Sequence, residues 1–159
     1  MNIFFLSENP VEAAPYYYDS HCRKIILELA IMLSAAHHLL EGEKNVYKLA
    51  WQNHPMSKWV RENKTNYIWA YNMFCALCDE FKYRFGKIHK TDITLRTILQ
   101  YIPENISQSN QFTKPPLCMP DEYKKDNYID AYRNYYVHGK KHLIAYTNRT
   151  TPSWFKNYA

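Results

Sequence analysis

Apolar residues along this chain recur mostly at helical spacing. In residues 19–41, His21, Lys24, Glu28, Met32 and Leu39 fall on one narrow stripe at about 100° per residue, flanked by Ile25, Ala36 and Leu40. Asp19 suits a first turn and Gly42 a stop, so a long helix is predicted from Asp19 to about Glu41. Residues 44–52 predict a short amphipathic helix with Val46, Leu49 and Ala50 inward, ended by Asn53-His54-Pro55. Residues 57–85 predict a second long helix, capped by Ser57 and closed by Gly86. Its core stripe is Trp59, Ala70, Met73 and Leu77; Asn63 and Asn66 share that stripe, and Arg61 lies to one side. A helix capped by Thr91 or Asp92 should run to about Tyr101, and a last helical region should cover residues 128–146, interrupted near Gly139. Only the apolar run at residues 2–7, closed by Glu8-Asn9-Pro10, predicts a β-strand. The expected architecture is mainly α: a single-domain helical bundle over residues 1–159 with one short N-terminal β-strand. The proline-containing stretch at about 102–120 is expected as a long loop, either a lid or binding loop or a disordered segment.

Composition sharpens this picture in a few places. The 159 residues suffice for one real core. With 15 Tyr, 4 Trp and only 3 Gly, the chain favours helices and loops over a small β-sandwich. The tyrosines can stack on bases and reach phosphates, or fill helix flanks and a homo-oligomer interface. A net charge of +5 permits an anionic partner. Without a long basic run, a discrete pocket for a phosphate-bearing ligand fits better than nonspecific coating of duplex DNA. No stretch approaches membrane-spanning length and no leader is visible, so no membrane association is expected and a cytoplasmic location is. Its four cysteines should then be reduced. Cys75-x-x-Cys78 lies in an apolar helical pattern without a second pair at zinc spacing, so neither a metal nor a cofactor is expected.

The candidate chemistry begins with His21, Lys24 and Glu28, because charge on a core-facing stripe is costly unless paired or facing a ligand. The plain alternative is an exposed Lys24–Glu28 pair and a satisfied histidine. Asn63 and Asn66 offer both donor and acceptor to a base edge or ribose, or else cap and bridge helices. In Ala131-Tyr132-Arg133-Asn134-Tyr135-Tyr136, Arg133 suits a phosphate and Tyr136 a stacking surface, and Lys140, Lys141 and His142 extend the positive charge. The expected ligand-binding set is His21, Lys24, Arg61, Asn63, Asn66, Arg133, Asn134 and Tyr136. Were the protein an enzyme, His21 would be the acid or base and Glu28 would orient it or activate water. Lys24 and Arg133 would then stabilise phosphate charge. A helical adaptor that binds protein through aromatic residues is the third class.

Several motifs occur together in order: Met1-Asn2-Ile3-Phe4, Asp19-x-His21-x-x-Lys24-x-x-x-Glu28, Asn53-His54-Pro55, Trp59-x-Arg61-x-x-x-x-Asn66-Tyr67-x-Trp69, Arg84-x-Gly86-Lys87-x-His89, Met119-Pro120-Asp121-x-Tyr123 and Ala131-Tyr132-Arg133-Asn134-Tyr135-Tyr136. Together they resemble a family of small, mostly uncharacterised tailed-phage proteins, in which Lys stands where this chain has Ser20. The resemblance implies the cytoplasm of an infected bacterial host, a setting in which a nucleotide-binding protein could capture a host-defence nucleotide signal. A more distant likeness is to the phage pyrimidine-dimer DNA glycosylases, which are small and helical, carry a catalytic Glu on the first long helix and end in an aromatic tail like residues 152–158. Glu28 matches that acid by position. Their chemistry uses a free amine on residue 2; here residue 2 is Asn, after which the initiator Met is expected to stay, so that step is not expected to carry over. Enzyme alternatives are therefore cleavage of a DNA bond or of a cyclic nucleotide.

Overall fold

A computed structural model describes residues 1–43 and 45–158. Its helices are α1 (Pro10–Ala13), α2 (Asp19–Glu41), α3 (Pro55–Val60), α4 (Lys64–Phe85), α5 (Lys90–Leu99) and α6 (Tyr128–Gly139), with short 3₁₀ turns between and after them. α2 lies at the centre: α3, α4 and α5 all pack on it. Ile25, Ile26, Leu29, Met32, Leu33 and Ala36 of α2 are buried, while Arg23, Lys24 and Leu27 face solvent. The long helix ends where expected, with Gly42 at φ 71°, and α4 likewise ends at Gly86 with φ 67°. Both positions need the left-handed backbone that glycine adopts without cost.

The predicted N-terminal strand does not form; there is no strand among the described residues. Ile3, Phe4, Phe5 and Leu6 are nonetheless buried. With no partner strand, their polar backbone is served by other groups. The Tyr17 hydroxyl accepts from Phe4 N–H at 3.1 Å and donates to Phe4 O at 2.6 Å. Leu6 N–H turns back to Phe4 O, and Arg133 Nε donates to Leu6 O. The apolar run was readable as buried, but burial of a single strand requires that each N–H and C=O find a partner elsewhere.

Three further expectations are corrected. Residues 45–51 are not helical and Leu49 is exposed; Lys44 lies outside the described residues. Tyr47 holds this segment instead, its N–H on Ser34 Oγ and its carbonyl accepting from His38. The single helix predicted over residues 57–85 is two helices. Asn63 is extended at φ −157° and its side chain accepts from Asn66 N–H, and this cap competes with helix continuation. The caps of α3 and α5 are His54 and His89, each accepting through Nδ1 from the N–H two residues on, rather than Ser57, Thr91 or Asp92.

The loop at 102–120 has no helix or strand of its own. It lies along the start of α4, where Lys64 N–H, Asn63 Nδ2 and Thr65 Oγ1 donate to the carbonyls of Ser107, Gln111 and Ser109. Phe112 packs against Trp59 and Trp69.

One clamp fixes the start of α2. Arg84, with a fully buried side chain, donates to Glu80, to Asp19 and to the carbonyls of Pro15 and Tyr17. Although burial opposes it, hydrogen bonds from Thr147 and Arg84 hold the Asp19 carboxyl below its ordinary range. The turn that carries His21 is thereby set against α4 and the C-terminal segment.

Candidate functional site

His21 sits in the first turn of α2, 6% exposed. Its ring stacks on Phe4 with centroids 4.7 Å apart. Nδ1 is 2.9 Å from the hydroxyl of Tyr136. That hydroxyl already accepts from Tyr18 N–H at 2.8 Å, and Tyr136 is fully buried. Its own hydrogen therefore goes to His21 Nδ1, which leaves the imidazole proton on Nε2. Burial, reinforced by Lys140, Lys24 and His142, pulls the His21 pKa down to about 4. At neutral pH the group is an uncharged ring offering an N–H, and Nε2 has no protein partner among the described residues.

This ring lines a cavity of about 300 Å³ together with Met1, Asn2, Phe4, Lys24, Glu28, His54, Cys118, Tyr135 and Lys140. Glu28 is 4% exposed. It accepts from Asn2 N–H at 3.0 Å, and the Met1 amine and Lys24 Nζ stand 3.6 and 4.0 Å from its other oxygen. Half-buried Met1 and Asn2 thus supply one wall and the counter-charge. His54 brings a second imidazole of defined tautomer: Nδ1 accepts from Met56 N–H, so Nε2 carries the proton. Burial and then the Met1 amine lower its pKa. Lys140 follows the end of α6, its Nζ 5.3 Å from the centre of the Tyr135 ring. Gly139 permits that packing, since a Cβ there would come within 2.5 Å of Tyr135 Cδ2. Burial raises the Cys118 thiol above its ordinary value, which leaves it a poor nucleophile.

The predicted site residues divide into three groups. His21, Lys24 and Glu28 do converge, although the Lys24 side chain is 70% exposed and stands at the mouth. Tyr136 supports His21 from behind and offers no stacking face. The remaining five lie elsewhere and are committed to holding the fold. Arg61 donates to Ser57 Oγ and Gln52 O. Asn63 caps α4, and buried Asn66 donates to Trp59 O and Thr113 Oγ1 while accepting from Thr113 N–H. Arg133 bonds Leu6 O and lies over the Trp154 ring at 4.5 Å. Asn134 donates to Tyr123 O.

Sequence reasoning left Met1, His54 and Cys118 out of the site. His54-Pro55 reads as a chain break, and only the fold brings it beside Glu28. Lys140 was marked as positive charge but not as a site residue.

Chemically, the pocket presents two imidazole N–H donors, two lysines and one buried carboxylate. For His21 to act as a base, Nε2 would need a free lone pair, and the Tyr136 hydrogen would be stranded in the core. The arrangement favours donation to an anion over proton abstraction by His21. Among the described residues no group of His, Cys, Asp and Glu is placed to hold a metal ion, and no helix is long and apolar enough to cross a membrane. No family model, curated protein or solved structure matches this chain.

Proposed function

We propose that the protein binds a phosphate-bearing nucleotide in the His21–Glu28–Lys140 pocket. The observation that carries this reading is His21 itself: a buried, neutral imidazole whose unpartnered N–H lines a cavity flanked by Lys24 and Lys140. The Nε2 edge is open at the cavity, since the one sealed and unpartnered side-chain nitrogen or oxygen among the described residues is Trp154 Nε1, so the His21 donor is available to an anionic ligand. The cavity volume suits part or all of one mononucleotide. Tyr135 and Phe4 offer ring edges, and Glu28 offers an acceptor to hydroxyl or amino groups. Combined with the resemblance to tailed-phage proteins, the reading extends to capture of a host-defence nucleotide signal, which needs tight preorganised contacts and no reactive geometry.

The test is to incubate the protein with a panel of nucleotides, remove the unbound fraction, heat the protein and identify what is released. Intact nucleotide supports capture. No bound nucleotide from any member of the panel contradicts the proposal.

A second reading rests on one observation, the Met1 amine 3.6 Å from the Glu28 carboxylate. A primary amine beside a carboxylate can add to C1′ of a deoxyribose, forming a C–N bond as the glycosidic bond breaks and the base departs. It departs from the distant glycosylase likeness in using the amine of Met1 where those enzymes use that of residue 2, with Glu28 in the position of their acid. Borohydride reduction in the presence of abasic-site DNA, with intact mass recorded first to define the N-terminus, would give a covalent protein–DNA adduct if this reading holds. Absence of the adduct, with nucleotide recovered intact in the first assay, leaves capture.

A further inference from the structure

Resting on the nucleotide-binding reading, we infer that the group the pocket recognises is a terminal phosphate monoester, not an internal or cyclic phosphodiester. The argument is one of charge and donor count. Among the described residues Glu28 is the only carboxylate lining the cavity, and the Met1 amine 3.6 Å away matches its charge. Both histidines are neutral donors: His21 because Tyr136 and burial keep it so, His54 because its Nδ1 caps α3. That leaves Lys24 and Lys140, two positive charges. Lys140 has no carboxylate partner among the described residues and rests on the Tyr135 ring. Lys24 has only Glu28, at the limit of ion-pair distance, 4.0 Å.

A phosphate monoester carries about −1.5 to −2 charge at pH 7 and three strong acceptor oxygens. A diester carries one charge and has two non-bridging oxygens. Two lysines match the monoester's charge, and its three oxygens take up more of the four donor groups, counting the Nε2–H of His21 and of His54, than a diester's two can. With a diester, one positive charge and two of the four donor groups would remain unmatched. His21 makes the donor set more than a chance gathering of surface lysines, because it is more than nine-tenths buried and its free ring edge lies at the cavity.

The experiment compares, by isothermal titration calorimetry at pH 7.5, nucleoside 5′-monophosphates of each common base with their 3′,5′-cyclic forms, and competes both with inorganic phosphate. The expected result is tighter binding of the monophosphate by at least about tenfold. Inorganic phosphate should displace it, and the preference should shrink in Lys24→Met and in Lys140→Met. Both lysines are at the surface of the pocket, so these variants should keep the wild-type unfolding midpoint. Equal affinity for the two forms, lost together in His21→Gln, overturns the monoester assignment and leaves the nucleotide-binding reading intact. Failure of every nucleotide and of inorganic phosphate to bind overturns both.

Discussion

Replacing Tyr136 by Phe removes one oxygen from a fully buried site, and the structure allows its cost to be worked out. The hydroxyl is the partner of two buried groups: it accepts from Tyr18 N–H at 2.8 Å and donates to His21 Nδ1 at 2.9 Å. Neither has a substitute, because Tyr18 is fully buried and His21 nearly so. The ring volume is conserved, and the Tyr18–Tyr136 stack at 4.1 Å should persist, so packing changes little. Each orphaned group costs about 1–3 kcal/mol, which gives about 2–6 kcal/mol in all. For a chain of this length that lowers the melting temperature by roughly 4–24 °C. Urea unfolding followed by circular dichroism, with the m-value unchanged, reads the free energy. Two-dimensional imidazole ¹H–¹⁵N spectra read the tautomer: wild-type His21 should be protonated on Nε2, and Tyr136→Phe should lose that uniqueness. A wild-type His21 protonated on Nδ1, or a variant with unchanged stability and tautomer, would refute the reasoning.

The remaining predictions concern other parts of the same framework. His21 has a folded pKa of about 4 against an ordinary 6.5, so the unfolded chain takes up the proton first. Stability should therefore fall by up to about 3 kcal/mol as pH drops from 6.5 to 4; denaturation at stepped pH should show this slope flattened in His21→Gln. His54 adds a smaller loss in the same direction. Asp19 and Glu80, whose carboxyls are held below their ordinary range, lose their contribution only at lower pH, as it falls through their folded pKa values. Arg84→Met should cost about 3–5 kcal/mol by chemical denaturation, because it strips buried Glu80, Asp19 and the carbonyls of Pro15 and Tyr17 of one shared donor. Asn66→Ala should cost about 2–4 kcal/mol by the same assay, leaving Thr113 N–H without its acceptor, while nucleotide affinity stays within about twofold. A large loss of affinity in a stably folded Asn66→Ala would mean that the site extends where the geometry does not put it.

The parts of this fold that were legible from sequence are those governed by short-range rules. Helical spacing gave α2 its correct limits because Asp19 and Gly42 are local start and stop signals, and Gly86 ended α4 for the same reason. On the first stripe, burial was legible for His21 and Glu28 but not for Lys24, whose side chain is 70% exposed. Two things were not. A polar side chain on a core-facing stripe looks the same whether it caps a helix or contacts a ligand, and Asn63 and Asn66 proved to hold the α3–α4 junction and the following loop. Long-range convergence was also hidden: Lys140 and His54 are more than a hundred and about thirty residues from His21, and only packing of the N-terminal segment under α2 and α6 brings them to one cavity. The arginines were natural phosphate ligands by chemistry alone, but Arg61 found a hydroxyl and a carbonyl nearer to hand, and Arg133 a carbonyl and a ring.

The most direct test of the pocket is a crystal structure of the protein grown with a saturating nucleoside 5′-monophosphate. The account predicts a phosphate oxygen within hydrogen-bond distance of His21 Nε2, with Lys140 drawn toward the anion and the Tyr136–His21 bond intact. An empty pocket at saturating ligand, or an anion bound instead at Arg61 or Arg133, would contradict it.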